Sequence, residues 1–323
     1  MGYLACGIIP AHIFDEYTQS LDKRVKSFPK SKGLYEPLYN HARQPDEAKS
    51  VIVCTRSFNN YKIPAGLSEF YGKYYLFDGR LEYSQEYRAK SEFTIYLRTL
   101  GLKIFKNPVP ARLAAAKAGL GKFGRNNFIY DSQHGSNIKI DTWVVDKELE
   151  YDVIEGNIYL SACNDGCGKC AKACPTKALS GSFSMDMSRC VTRLANLSKE
   201  VPDEETRAQM GTSLYGCDAC QDACPLNKDK YVSSEEFPLL AEHEKYMKPE
   251  SILEMDEDTY KNIVNRRFWY TGEDAHWFWQ CNALRCMVNS GDKKYHDLIK
   301  QYCNHEDERI SGVARWGRRK LGI

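Results

Sequence analysis

Eight of the thirteen cysteines in this chain fall between positions 163 and 224. They are Cys163, Cys167, Cys170, Cys174, Cys190, Cys217, Cys220 and Cys224, whereas Cys6, Cys54, Cys281, Cys286 and Cys303 are scattered. An odd total fits poorly with a closed disulfide framework, and so dense a cluster is metal chemistry. Two metal readings compete. Zinc sites usually come as two separated C-x2-C pairs, whereas CNDGCGKCAKACP and GCDACQDACP both close on Cys-x3-Cys-Pro.

That closing is the pattern of bacterial two-cluster ferredoxins. There the Cys before Pro in each motif crosses to the other cluster, because a tight loop wraps only three corners of a cubane. The rule assigns Cys163, Cys167, Cys170 and Cys224 to one 4Fe-4S cluster and Cys174, Cys190, Cys217 and Cys220 to a second. Zinc or a single cluster is the alternative. The first gap is one residue longer than usual, so the loop at Asn164 and Asp165 must absorb it.

At 323 residues the chain is long for one core and is expected to form two or three domains. Lys+Arg 45 against Asp+Glu 43 is no polyanion-binding signature, so nucleic acid is neither implied nor excluded. MGYLACGIIP lacks a basic leader and no run of 18 apolar residues occurs, which reads as a soluble cytoplasmic protein without a membrane partner. The LAC before position 7 resembles a lipoprotein cleavage box, but five preceding residues cannot form a signal peptide, and Cys6 is read as buried or idle.

Residues 1 to about 155 read as mixed α/β. SVIVCT (50–55) is a buried strand, 86–105 carries helical periodicity with a strand-like end, and IKIDTWVVD (138–146) is another strand. Between them ARLAAAKA is a strong helix former, followed by glycines that let backbone approach a ligand. GLGKFG fits G-x-G-x-x-G, yet it follows a helix, whereas the dinucleotide fingerprint follows a strand and opens a helix. A nucleotide site is discounted.

The order AKAGLGKFGRNN, HGSN, a strand, CGKCAKACPTKAL, DMSRCVTRL and MGTSLYGCDACQDACPLN resembles epoxyqueuosine reductase, a relative of the corrinoid reductive dehalogenases. The resemblance covers roughly residues 40–230 and continues loosely through 277–292 and 307–322. It implies an α+β chain with three parts. These are a nitroreductase-like α/β corrinoid-binding domain (1–157), a double 4Fe-4S ferredoxin-like domain (158–232) and a short helical HEAT-like C-terminal cap (233–323). It implies two 4Fe-4S clusters and a cobalamin, with Arg112, Gly119, Gly121, Gly124, Asn126, Gly135 and Ser136 on the corrinoid side. No histidine satisfies D-x-H-x-x-G: only His276 has the Asp, and position 279 is Trp. This agrees with the family's base-off, histidine-free corrinoid, and equally with no corrinoid. The remaining histidines are read as surface or packing residues.

The departures narrow the chemistry. The family's proton-donating Asp falls on Phe105 and the Glu of that motif on Ala111, while Pro108 and Arg112 survive. Reductive opening of an epoxide needs a general acid, and phenylalanine holds no proton. The family's Asp-Tyr-His stretch is replaced by LEYSQEY, and FYGKYYLFDGRLEY (70–83) adds aromatic residues that line either a pocket or a surface hairpin. Asn107, Tyr75 and Tyr83 are the polar candidates for catalysis.

Three functions follow. The first is a corrinoid reductase with a changed substrate or acid, fed by a low-potential donor such as ferredoxin or flavodoxin. The second is an electron-transfer protein that binds or reduces a corrinoid for a partner. The third is a cluster-bearing binding module. Arg309, Arg315, Arg318, Arg319 and Lys320 are either a tRNA phosphate contact or a solvated helix face.

Overall fold

A computed structural model describes residues 2–152, 162–181, 183–198 and 200–323. The expected domain boundary at 157/158 lies outside the described residues. Two compact units are interleaved in sequence. Unit 1 comprises 1–61, 82–188 and 219–234; unit 2 comprises 62–81, 189–218 and 235–323.

Unit 1 is built on a four-stranded sheet, ordered β1 (Ala5–Pro10), β2 (Ser50–Ser57), β6 (Ile138–Val145) and β3 (Ile104–Phe105), with every pair antiparallel. Alternation along β2 explains why it is buried on both faces. Val51 and Val53 face the side holding Leu113, Ala114 and Ala115 of α3 (Ala111–Lys117). Ile52 and Cys54 face the other side, with Leu97 of α2 (Gln85–Thr99), Leu102 and Trp143. A continuous apolar run such as SVIVCT therefore marks a strand covered on both faces. Small alanines bring α3 against the sheet, and a Cβ at Gly7 would stand 2.9 Å from that of Ala118. On the far face Ser84 caps α2 by accepting from Tyr87 N at 3.1 Å. A second helix, α1 (Asp15–Ser27), carries Arg24 toward the turn at Asn127.

Cys6 is neither buried nor idle. It is exposed on β1, directly opposite Cys54 in the antiparallel register, and the two form a disulfide.

Two hairpins and two single-turn helices complete the part of unit 1 that matters for function. After α3 the chain forms β4 (Lys122–Phe123) and β5 (Ile129–Tyr130). The glycine triplet thus runs into a hairpin rather than opening a helix, as the discounted nucleotide fingerprint would have required. Strands β7 (Leu179–Gly181) and β8 (Ser184–Met185) form the second hairpin. The turns α4 (Lys169–Ala173) and α5 (Ala219–Asp222) pack against each other. Each cysteine motif ends where the residue before proline goes extended, Cys174 at φ −65°, ψ 112° and Cys224 at φ −85°, ψ 122°.

Unit 2 is helical apart from loops. Its central helix α6 (His276–Ser290) is buried almost all round, from Phe278 to Val288, and packs on α8 (Glu308–Leu321), with α7 (His296–Tyr302) joining them. Ile310, Val313, Ala314 and Trp316 form the buried stripe of α8. No helix among the described residues is long and apolar enough to cross a membrane.

Asp307 caps α8, accepting from Arg309 N at 2.8 Å and from the Arg309 guanidinium Nε at 3.0 Å. These bonds, opposed by some burial, lower its carboxyl from an ordinary 3.8 to about 2. A carboxyl held low in the folded state contributes stability that is full above its unfolded value and is lost as pH falls through its folded one. Thermal unfolding of Asp307→Asn should therefore show a deficit near neutral pH that closes as pH falls from 3.8 to about 2. A deficit that persists below that window would show the cap to be neutral in origin.

Candidate functional site

The extra residue in the first cysteine loop is taken up by a turn in which Cys167 N donates to Asn164 O at 3.2 Å, with Gly166 at φ +71°. Cys174 and Cys224 are buried and the other six cluster cysteines half-buried. Burial, countered by the Ala171 N–H, pushes the Cys170 thiol up, and the neighbouring Cys163 and Cys224 sulfurs push it further. Cys170, Cys163 and Cys224 are thus within electrostatic reach of one another, and they are three of the four ligands expected for the first cluster. Backbone donors aim at the sulfurs, Arg125 N at Cys163 Sγ (3.4 Å) and Ala178 N at Cys174 Sγ (3.2 Å). Such donors favour thiolate, the form that binds iron.

In unit 2, Cys190 leads directly into the helix Val191–Asn196, whose Val191 and Leu194 form a small core with Met210, against which Cys217 packs. Asn196 Oδ1 accepts from Gly216 N at 2.8 Å, fixing the backbone just before Cys217. Among the described residues no three His, Cys, Asp or Glu side chains converge on a single ion.

The scattered cysteines behave differently. Burial raises the Cys281 thiol to about 12 and that of Cys286 to about 11, so both stay protonated.

The glycine segment is tied to both cysteine loops. Beyond its amide on Cys163, Arg125 donates from Nη1 to Cys167 O at 2.9 Å. Asn126 is buried, and its Nδ2 donates to Tyr130 Oη (2.9 Å) and Cys220 O (3.3 Å). Tyr130 keeps its proton, chiefly through burial and then through its hydrogen bond to Cys224. Ser136, also buried, donates to Gln221 Oε1 at 2.9 Å and accepts from Asn227 Nδ2 at 2.9 Å.

Of the residues expected on the corrinoid side, most are absorbed by such internal ties. Side chains at Gly121 and Gly124 would strike Ile129 and Tyr130, and one at Gly135, which is at φ +62°, would strike Asn227. Arg112 donates to Asn127 O at 3.1 Å and lies 4.5 Å from the centre of the Phe128 ring. Gly119 turns the chain out of α3 at φ +75°.

Sequence reasoning missed Arg125 and Asn127. Their Nε and Nδ2, with Arg24 Nε, are buried donors without a partner among the described residues. The signal was the run GRNN: Asn127 sits at φ +67°, a conformation that asparagine tolerates better than most residues.

The three catalytic candidates occupy separate segments. Asn107 is exposed on the link into α3, Tyr83 is half-buried before the Ser84 cap, and Tyr75, in unit 2, lies edge-on to Tyr215 at 5.2 Å. Phe105 is half-buried on β3 opposite Val144, with Lys103 Nζ 4.8 Å from its ring centre. In the segment 131–137, His134 Nδ1 pairs with Asp131 Oδ1 at 2.7 Å. His276 is a packing residue, hydrogen-bonded to Ile252 O at 3.2 Å and stacked on Tyr260 at 4.7 Å.

The basic run on α8 is engaged within the protein: Arg309 with Asp307, Arg315 with Glu308, Arg319 with Glu204, Arg318 with Ile323 O and Lys320 with Asn289. A solvated, paired helix face accounts for these charges.

Residues 162–227 match the family model of a 4Fe-4S double cluster binding domain. The epoxyqueuosine reductase of Cellulophaga algicola is 27% identical over 287 residues, covering 82% of this chain and 88% of that relative. Its Bacillus subtilis counterpart is 30% identical over 225 residues, covering 65% and 53%. The solved Streptococcus thermophilus epoxyqueuosine reductase superposes with TM-score 0.74 at 18% identity, covering 99% of this chain and 87% of that one. An epoxyqueuosine reductase solved with an epoxyqueuosine-modified tRNA-Tyr stem loop superposes with TM-score 0.71 at 21% identity, covering 100% and 87%. These comparisons make the chain a homologue of the epoxyqueuosine reductases, which are enzymes, with a 4Fe-4S double cluster binding domain at its centre.

Proposed function

We propose that the chain is a corrinoid- and iron-sulfur-dependent reductase that acts on the epoxide of a modified nucleoside in tRNA. The observation that carries this reading is the join between the glycine segment and the cysteine loops: Arg125 N on Cys163 Sγ and Asn126 Nδ2 on Cys220 O. A group seated on that segment is next to the first cluster's ligands. Arg125, Asn127 and Arg24 suit a corrinoid, since their unpartnered buried donors match the carbonyl oxygens of its amide side chains. When bound, the clusters would supply low-potential electrons and a cobalamin would supply a strong reductant.

The chain's own residues hold this site. Asn126, Ser136, Gln221 and Asn227 fix the segment against the loop 219–227. Expelling an epoxide oxygen as water consumes two electrons and two protons. With Phe105 in the acid's place, the matched segment offers the hydrogen-bonded pair of Asp131 and His134. We read 1–157 as nitroreductase-like, 158–232 as the ferredoxin-like insert and 233–323 as a HEAT-like cap, in a cytoplasmic enzyme fed by ferredoxin or flavodoxin.

One observation favours the electron-transfer alternative, namely the apolar ring at Phe105. In a solved B. subtilis epoxyqueuosine reductase, the loop named for a catalytic aspartate is swung out of the active site. Phe105→Asp should raise epoxide turnover, up to about a hundred-fold if only the acid is lacking. It should also cost about 1–3 kcal/mol in denaturant unfolding, because Phe105 packs on the core. Unchanged turnover in the folded variant would assign the proton to another group.

Anaerobic titration of the cluster-loaded chain with cobalamin, followed by visible and EPR spectra, tests the cofactor. A base-off Co(II) spectrum supports the reductase. Cobalamin bound and reduced without epoxide turnover supports the electron carrier, and no binding rejects both.

A further inference from the structure

We propose that Arg125 sets the reduction potential of the first cluster, acting on it through two of its ligands. The inference rests on the assignment of Cys163, Cys167, Cys170 and Cys224 to that cluster and does not need the corrinoid. All five residues belong to unit 1.

The turn of the β4–β5 hairpin delivers Arg125 to the first cysteine loop. Gly124 N donates to Phe128 O at 2.8 Å and Asn127 N to Gly124 O at 2.9 Å, which closes the turn. Phe183 N donates to Arg125 O at 3.0 Å and ties the turn to the second hairpin. Arg125 then meets the loop twice, its amide donating to Cys163 Sγ at 3.4 Å and its Nη1 to Cys167 O at 2.9 Å.

The charge of this arginine is not paired with a carboxylate. Among the described residues Arg125 makes no ion pair, and its Nε is buried without a partner. The side chain is half-buried, so salt and water screen it less than a surface charge. The other charged side chains of the cysteine segments 163–174 and 220–224 are Asp165, Lys169, Lys172 and Asp222. All four are exposed, and they are two of each sign, so they cancel in sum and act through solvent. Arg24 and Arg112 turn to Asn127 instead of to a cysteine.

Reduction adds one electron, and with it one negative charge, to the cluster and the sulfurs around it. A fixed cation beside the ligands, with no anion of its own, stabilises that added charge more than it stabilises the oxidised state. Arg125 therefore raises the potential of the first cluster. The electron taken from a low-potential donor is held more firmly on the cluster whose ligand Cys163 is bonded to the glycine segment.

The test is a potentiometric titration of the full, cluster-loaded chain with dithionite and mediators, followed by EPR. The signal missing from Cys170→Ser identifies the first cluster. Arg125→Gln keeps the backbone amide and removes the charge. At a fixed potential near the midpoint it should lower the reduced-to-oxidised ratio of the first cluster roughly ten-fold, a shift of about 59 mV for one electron, and leave the second cluster unmoved. Arg125→Lys, which keeps the charge, should hold most of the parent's ratio. An unshifted first cluster in Arg125→Gln overturns the proposal and leaves the ligand assignment intact, as does a Lys variant shifted as far as the Gln one. A shift confined to the cluster that Cys170→Ser retains overturns the ligand assignment and the proposal with it. If Arg125→Gln and Arg125→Met both fail to load the first cluster, Arg125 serves its assembly and the proposal is wrong.

Discussion

Cys170→Ser and Cys220→Ser are each expected to halve the iron bound per chain and to abolish epoxide reduction, while Cys281→Ala keeps its full iron. Cys170 lies within electrostatic reach of Cys163 and Cys224, so its loss opens a corner of the first cluster. A serine hydroxyl is a harder and far weaker acid than a thiol, and it replaces a thiolate poorly as an iron ligand. Cys220 belongs to the second expected set, and its carbonyl is the one that Asn126 grips. Cys281 is the control because it is buried in helix α6 and belongs to neither expected ligand set. Iron and sulfide analysis with EPR of the reduced variants separates the outcomes. Retention of full iron by both serine variants would overturn the ligand assignment, and loss of all iron in either would show that neither cluster forms alone.

Arg285→Ala is expected to cost roughly 3 kcal/mol or more and to thin the occupancy of the cluster to which Cys217 is assigned by its spacing. Arg285 is 1% exposed. It donates from Nη1 to Gly211 O at 2.8 Å and from Nη2 to Ser213 O at 2.5 Å. Beside it the Cys286 thiol reaches Thr212 O at 2.9 Å, and Asn289 Nδ2 reaches Gly211 O at 3.0 Å. Helix α6 thus holds the loop 211–213 by its carbonyls, a few residues before Cys217. Truncation strands buried acceptors and leaves a void, and both effects fall on the segment that aims the cysteine. Denaturant unfolding with parallel iron analysis measures the pair of effects. A variant that loses stability but keeps full iron would confine Arg285 to the helical core.

That role shows where sequence reading stops. In NALRCMVNSGD the apolar residues Leu284, Met287 and Val288 stand at the three- and four-residue spacing of one helix face, and they are buried. Arg285 and Asn282 in the same turn are buried too, and nothing in the periodicity marks a cation as internal when its partners are loop carbonyls from elsewhere in the chain. Strand β2 was legible because an unbroken apolar run suits a strand covered on both faces. Cysteine spacing was legible because cubane ligation constrains it directly. The pairing of Cys6 with Cys54 was not, since it depends on the register of β1 against β2, a relation between distant residues. The glycines were read as letting backbone approach a ligand, whereas in the structure Ile129, Tyr130 and Asn227 take the space beside Gly121, Gly124 and Gly135. The unpartnered donors fell one residue to either side of Asn126, at Arg125 and Asn127, because local hydrogen bonding decides which amide is spent and which is left over.

The most direct test of the central claim is anaerobic turnover, in which the cluster-loaded chain with cobalamin and a low-potential reductant is given a tRNA stem loop carrying epoxyqueuosine, and the digested nucleosides are weighed by mass spectrometry. The account predicts that the modified nucleoside loses one oxygen with the parent and not with Cys220→Ser. An epoxide left intact by a parent whose clusters are fully reduced would contradict it.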